Sequence, residues 1–310
     1  MQASVLLQKP KNLVEIIKIQ TTILKSIHDF MTDRGFLQLM PVLTSTVTDP
    51  LWPDPGSTIE GTPKIKYAGR ELTLTQSMIL HKQVAVAMGL DKIYIMSPNI
   101  RLEKSFRKIT RRHLFEFTQM DFEIKGASMD DVMSLVEDLV IYVLERVKKE
   151  RAEELEKLGR DLKIPSKPFP RYTSHEMIEK YGKEWEETAS KMHDTPFWVT
   201  CFKREFYDRE DPERPGHYRN YDLIYPEGYG EALSGAEREW EYKRIISRIT
   251  ADGLDPKNFE PYLALAREGL LVPSAGAGIG IERLVRFATG AEHIGDIQPF
   301  RRVPGEEIFL

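Results

Sequence analysis

Three stretches of the sequence combine side chains whose types and spacing suit chemistry on phosphates and carboxylates. The first, residues 100–123, reads IRLEKSFRKITRRHLFEFTQMDFE: Arg101 and Glu103 close an extended run, Arg107, Lys108, Arg111 and Arg112 make a basic loop, and His113 and Phe117 follow. Cations placed there could hold phosphates, and the phenyl ring could stack on a base. Strand alternation puts His113, Phe117, Gln119, Asp121 and Glu123 on one face, a site, and Leu114, Met120, Phe122 and Ile124 on the other, a core. The second stretch, residues 220–239, offers Asp222, Glu231 and Ser234 as hard oxygen donors suited to Mg2+, with Arg238 able to fork a carboxylate. The third, SAGAGIGIERLVRF at residues 274–287, has glycines that let backbone approach a ligand, then Arg283 at the start of a helix whose N-terminal end favours anions. Each stretch taken singly has a plainer reading: glycines before a helix serve turns and packing, charged loops are solvated surface, and a lone histidine is commonly structural. Their occurrence together, in this order, favours the chemical reading.

The elements that must carry these side chains follow from periodicity. Leu13, Ile16, Ile17, Ile23, Leu24, Ile27 and Phe30 predict an amphipathic helix over residues 12–30, with Gly35 as its stop. GFLQLMPVLTST, with Pro41, reads as an edge or interface strand, and residues 48–57, TDPLWPDPGS, as a loop that could cover a site. Alternation around Ala68-Gly69 predicts a hairpin, followed by a helix over residues 77–88 and a strand over 92–96. Ser128 and Asp131 form a capping pair at the head of one long helix over 128–158. A small helical insert is expected at about 159–196, then strands in FWVTCFKREFY and NYDLIYP, and a helix over 236–251. Strands and helices mix without βαβ regularity, so the expected class is α+β with an antiparallel sheet. No repeat or low-complexity linker divides residues 1–310, which are expected to form one domain carrying that insert.

Composition sets the outer bounds. A chain of 310 residues with 41% hydrophobic side chains can bury a large core. Its 44 Lys+Arg against 48 Asp+Glu give a net charge of -4, which excludes a strongly basic nucleic-acid wrapper. Its one cysteine, Cys201, excludes an internal disulfide framework and fits a reducing cytosol. No stretch approaches the roughly 18 apolar residues of a membrane helix, so a cytoplasmic protein without a membrane partner is expected.

On these stretches the chain resembles the catalytic core of the class II aminoacyl-tRNA synthetases, in the aspartyl/asparaginyl/lysyl branch. GFLQLMPVLTST, IRLE…RHLFEF and GAGIGIERLVRF match the three class motifs in order, over nearly all of the chain. The resemblance implies a six-stranded antiparallel β-sheet flanked by helices, and a homodimer built partly through the first motif. It also implies that ATP is held by Arg101 on the α-phosphate, Glu103 on the adenine edge, Phe117 against adenine, and His113, Arg283 and Glu231 toward the terminal phosphates. Arg101 and Arg283 would then be catalytic, and Asp222, Glu231 and Ser234 would hold Mg2+. Adenylate formation needs alignment and charge neutralisation rather than a general base, because the attacking carboxylate is already ionised.

The amino-acid side of the expected site lies in QSMILHKQ, residues 76–83. Lys82 matches the lysine with which aspartate-specific members hold the side-chain carboxylate, and Arg238 matches the arginine that forks it; Ser77 and Asp121 complete the substrate set. Two buried cations suit an anion, and an asparagine pocket would leave one unpaired, so aspartate is the expected substrate. Ile79 stands where the family has a glutamine, PEGYGE at residues 226–231 is the asparaginyl-type version of its segment, and the anticodon-binding barrel is expected to be absent. In these respects the chain resembles an archaeal asparagine synthetase related to asparaginyl-tRNA synthetase. That implies ammonia-dependent conversion of aspartate and ATP to asparagine, AMP and pyrophosphate through a β-aspartyl-adenylate, without tRNA as a partner. Free ammonia is expected because Cys201, in an apolar run, reads as a buried hydrophobe rather than an amidotransferase nucleophile, and Glu116 is a candidate for stripping a proton from ammonium. The alternative is a truncated aspartyl/asparaginyl-tRNA synthetase paralogue that activates aspartate and transfers it to tRNA or another acceptor.

Overall fold

The computed structural model describes residues 10–47, 49, 51 and 58–308. Most of the loop at 48–57, Trp52 included, lies outside the described residues. Helix α1 (Leu13–Asp33) buries Ile16, Ile19, Ile23, Ile27 and Phe30 at helical spacing, as the periodicity requires. Strands β1 (Leu37–Leu39) and β2 (Thr44–Ser45) lead to the hairpin β3 (Lys64–Tyr67) and β4 (Arg70–Leu74). Its two turn residues, Ala68 and Gly69, both take left-handed φ (49° and 74°), the conformation that matches strand twist in a two-residue hairpin. Helix α2 (Ile79–Ala87) precedes β5 (Lys92–Ile100) and β6 (Glu116–Lys125), and β5 runs four residues beyond its expected end.

Helix α3 (Met129–Glu150) opens with the full Ser128/Asp131 capping box. The expected long helix is broken at Arg151 (φ -129°), whose guanidinium donates to Thr22 of α1 at 2.7 Å, and resumes as α4 (Ala152–Leu158). Next come β7 (Arg171–Thr173), α5 (Ser174–Tyr181), α6 (Trp185–Met192), β8 (Phe197–Thr200), β9 (Asn220–Tyr225) and β10 (Gly230–Glu237). The chain then forms α7 (Tyr242–Ala251), α8 (Glu260–Arg267), β11 (Ser274–Gly280) and α9 (Ile281–Thr289). Strand β8 stops short of FKREFY because Cys201 turns to φ 69°, outside the range of a ladder strand. Residues 236–237, expected at the start of a helix, instead end β10, and α8 was not anticipated.

The main sheet has eight strands in the order β1-β5-β6-β11-β10-β9-β8-β7. Pairing from β5 to β8 is antiparallel, while β1 and β7 join the two ends in parallel. The α+β class and the antiparallel sheet flanked by helices are therefore present, extended by two parallel edge strands. On one face Ile19, Ile23 and Ile27 of α1 and Val136, Val140 and Val143 of α3 share one buried core with Met120, Phe122 and Leu223 of the sheet. The other face carries Gln119, Asp121 and Glu123, and α2 lies over it.

Strand β11 explains why its sequence alternates glycine with larger residues. Ala275, Ala277 and Ile279 belong to the helix-side core, and Gly276 and Gly278 pair with Glu123 and Asp121 of β6. A Cβ on Gly276 would stand 2.1 Å from the Phe122 carbonyl oxygen and 2.3 Å from the Glu123 carboxylate; on Gly278 the closest atom, in Asp121, would be 3.0 Å away. The glycines thus make room for the protein's own carboxylates. Gly276→Ala is expected to destabilise the fold by about 1–3 kcal/mol, because backbone must move. Gly278→Ala is expected to cost less. Urea midpoints for the two variants test this ordering, and equal midpoints would contradict it.

Candidate active site

Two polar cavities open on the carboxylate face of the sheet. The first, about 190 Å³, is lined by Arg101, Glu103, Arg107, Arg112, His113, Phe117, Glu231 and Arg283. Here β5 ends and β6 begins, so both strand ends and the basic loop between them deliver side chains to one place. The Arg101 guanidinium lies 5.3 Å from the centre of the Phe117 ring, and its Nε donates to the Gln76 carbonyl at 3.0 Å. Arg107 Nε donates to Glu103 Oε2 at 3.2 Å. His113 is buried, and burial together with Arg283, Arg112, Arg107 and Arg101 holds its pKa well below the usual imidazole range. The neutral ring accepts from Arg107 at Nε2, leaving Nδ1 to pair with Thr110. It therefore positions Arg107 in the cavity rather than adding a charge of its own. Arg283 is fixed from two directions: Glu282 accepts the Thr118 amide at 3.0 Å, tying α9 to β6, and the guanidinium meets the Glu231 carboxylate at 3.0 Å.

The second cavity, about 220 Å³, holds Ser77, Ile79, Lys82, Asp121 and Arg238. Lys82 is 1% exposed and its ammonium reaches Asp121 at 2.9 Å, the Ala277 carbonyl at 3.0 Å, the Phe122 carbonyl at 3.3 Å and Glu123 at 3.8 Å. Arg238 reaches Glu123 at 3.0 Å and Asp208 at 3.5 Å. Both cations are thus already matched by protein carboxylates. This revises the charge argument for aspartate: an uncharged side chain entering here would leave neither cation unpaired. Arg204, Asp49, Glu205 and Asp208, which the sequence reading did not single out, also line this cavity. Burial and the nearby Asp208 and Asp49 push the Glu205 carboxyl up to about 8.

The three candidate metal ligands converge through a strand irregularity. Residues 231 and 234 of a regular strand would face opposite ways, but β10 slips register against β9 between Glu231 and Leu233, and both side chains reach the site. Ser234 lies directly across from Asp222. Arg204 donates to Asp222 at 2.7 Å and to Ser234 at 2.6 Å. Burial raises the Glu231 pKa, but Arg283, Arg112, Arg204 and Arg101 outweigh it and bring the group to about 2. Among the described residues no group of three or more His, Cys, Asp or Glu side chains is placed to hold a metal ion. Two carboxylates and a hydroxyl do suit the few protein ligands that Mg2+ takes when phosphates supply the rest.

Of the expected residues, only Glu116 stays away. Like Asp222, which joins the site through Arg204, it lines neither cavity; but it is 52% exposed at the side chain and faces Arg302 at 3.5 Å, because its strand position alternates with the site face. Arg101, Gln119, Glu231 and Gly278 line both cavities, so the two are neighbouring halves of one site.

The family model for class II tRNA synthetases (D, K and N) matches residues 1–304. The chain belongs to this family of ATP-dependent ligases. It is 33% identical to the asparagine–tRNA ligase of Thermococcus gammatolerans, over 96% of this chain and 71% of that protein. It is 36% identical to the corresponding ligase of Symbiobacterium thermophilum, over 94% and 70%. Among solved structures, asparaginyl-tRNA synthetase from Pyrococcus horikoshii complexed with asparaginyl-adenylate superposes with a TM-score of 0.85 at 32% identity, covering 96% of this chain and 70% of that one. The expectation that tRNA is not a partner is overturned by these relatives, which are tRNA ligases. No helix among the described residues is long and apolar enough to cross a membrane.

Lys82→Met would leave Asp121 buried without its counter-ion, and is expected to cost roughly 3–5 kcal/mol of stability. Adding Asp121→Asn should recover part of that loss. Chemical denaturation of the single and double variants checks this, and an unchanged midpoint for Lys82→Met would rule out the ion pair as described.

Proposed function

We propose that this chain activates an aspartate-type amino acid, aspartate or asparagine, with Mg-ATP and passes the aminoacyl group to tRNA. The observation that carries the reading is the junction of the two cavities on Arg101 and Glu231: a cationic, aromatic nucleotide half meets a charge-balanced amino-acid half. Bound across it, ATP would rest its base against Phe117 and its α-phosphate beside Arg101, with the terminal phosphates toward Arg107 and Arg283. The substrate carboxylate attacks the α-phosphorus, the bond to the β-phosphate oxygen breaks, and pyrophosphate leaves. Arg101 neutralises charge developing at the α-phosphate, and Arg283, held by Glu231, does so on the leaving group. Asp222, Glu231 and Ser234 would hold Mg2+, which supplies further charge neutralisation when bound. In forming the adenylate, protein groups bind and orient without exchanging a proton with the substrate.

A second reading replaces tRNA with ammonia and makes free asparagine from aspartate. It is favoured by Ile79, an apolar residue in the amino-acid cavity where the family has a glutamine. Product analysis separates the two. With ATP, Mg2+ and labelled substrate, the first reading predicts label on tRNA that is stable to acid and released by mild base. The second predicts labelled free asparagine and AMP from aspartate and ammonium without tRNA. Pyrophosphate exchange with neither amino acid would refute both. Arg283→Ala is expected to lower amino-acid-dependent exchange by about 10²-fold or more, and near-normal exchange would refute its assigned role.

A further inference from the structure

The helices at residues 174–192 lie far in sequence from the three motif segments, and line neither cavity, yet one of them holds two residues of the site. Glu186, on α6, meets Arg112 with both carboxylate oxygens, the longer contact being 3.0 Å, and accepts the backbone N–H of Glu231 at 2.8 Å. One helical turn later Ser190 accepts the Gly230 N–H at 3.0 Å and donates to the Tyr225 carbonyl at 2.7 Å. Spacing of four residues puts both side chains on one face of α6. They grip the segment that starts β10 just where its register slips and Glu231 turns into the site. The fit leaves no room for a side chain at position 230: a Cβ there would lie 2.4 Å from Arg112 and 2.9 Å from Glu186. Arg112 itself is crowded by like charge, and burial with Arg283, Arg107 and Arg286 brings its pKa down to about 10. Glu231 offsets part of this, and Glu186 holds the guanidinium directly through both carboxylate oxygens.

We propose that Glu186 is a positioning residue for the phosphate and metal end of the site, fixing at once the Arg112 guanidinium and the backbone that aims Glu231. This rests on the adenylation reading for its role in turnover, but its effect on the site can be measured by binding alone. Fixing both groups before ATP arrives removes a reorganisation cost from binding, so loosening them should weaken the phosphate contacts and leave the adenine contacts intact.

Calorimetry on the full chain with Mg-ATP and, separately, with adenosine tests the assignment. Glu186→Ala should weaken Mg-ATP about tenfold or more and raise the Mg2+ concentration needed for ATP binding, while adenosine affinity stays constant. Glu186→Gln, which keeps an acceptor for the Glu231 amide but loses the charge, should fall between Ala and wild type, and Glu186→Asp should restore part of the affinity. Glu187→Gln, on the same helix but in an exposed pair with Lys191, should match wild type. Unchanged Mg-ATP affinity in Glu186→Ala, or equal weakening of adenosine and Mg-ATP, would overturn the proposal. If wild type binds Mg-ATP but shows no exchange with either amino acid, the adenylation reading fails and the Glu186 result still stands.

Discussion

Two carboxylates buried on one face of β6 are the constraint around which the site is organised. Asp121 and Glu123 are 2% and 0% exposed, and an ionised carboxylate in such surroundings survives only with a counter-charge and hydrogen bonds. Lys82 comes from α2 and Arg238 from the end of β10 to supply the charge, and Ser274 adds a hydrogen bond to Glu123 at 2.9 Å. Space for them exists because β11 places Gly276 and Gly278 opposite. The glycine alternation, the burial of a lysine and the position of α2 over the sheet are therefore linked consequences of one electrostatic requirement.

That requirement also shapes what the site can select. Since Lys82 and Arg238 are satisfied by the protein, a substrate side chain does not meet bare cations; it must exchange hydrogen bonds with a network already in balance. Discrimination between a carboxylate and a carboxamide then depends on how Asp121, Glu123 and Asp208 share the two cations, a subtler matter than counting charges. In the neighbouring cavity, lined by Arg101, Arg107, Arg112 and Arg283, the balance is different. Arginines outnumber carboxylates there, Glu231 is ionised because of them, and His113 is kept neutral by its burial first and by the same arginines second.

Much of this was legible in the sequence. The amphipathic period of α1, the Ser128 cap and the Ala68-Gly69 turn are local signals, and the structure follows them. The three motif segments identified most of the groups that line the cavities. The missing parts depend on contacts between distant residues. Convergence of Glu231 and Ser234 relies on a register slip that only strand pairing creates. Arg204 was hidden in what read as a strand continuing past Cys201, where the backbone instead turns. Glu186 lies 74 positions from Arg112, in what read only as a small helical insert. Glu116 was misplaced for the opposite reason, since its neighbours in sequence are site residues but its own side chain points away.

The central claim is that the two cavities are one adenylation site meeting at Arg101. A crystal structure with a non-hydrolysable sulfamoyl analogue of aspartyl- or asparaginyl-adenylate tests it most directly. The account predicts adenine against Phe117, the sulfamoyl group beside Arg101, and the amino-acid side chain toward Lys82 and Arg238. An analogue bound elsewhere, or with its amino-acid end outside the cavity that Lys82 and Asp121 line, would contradict it.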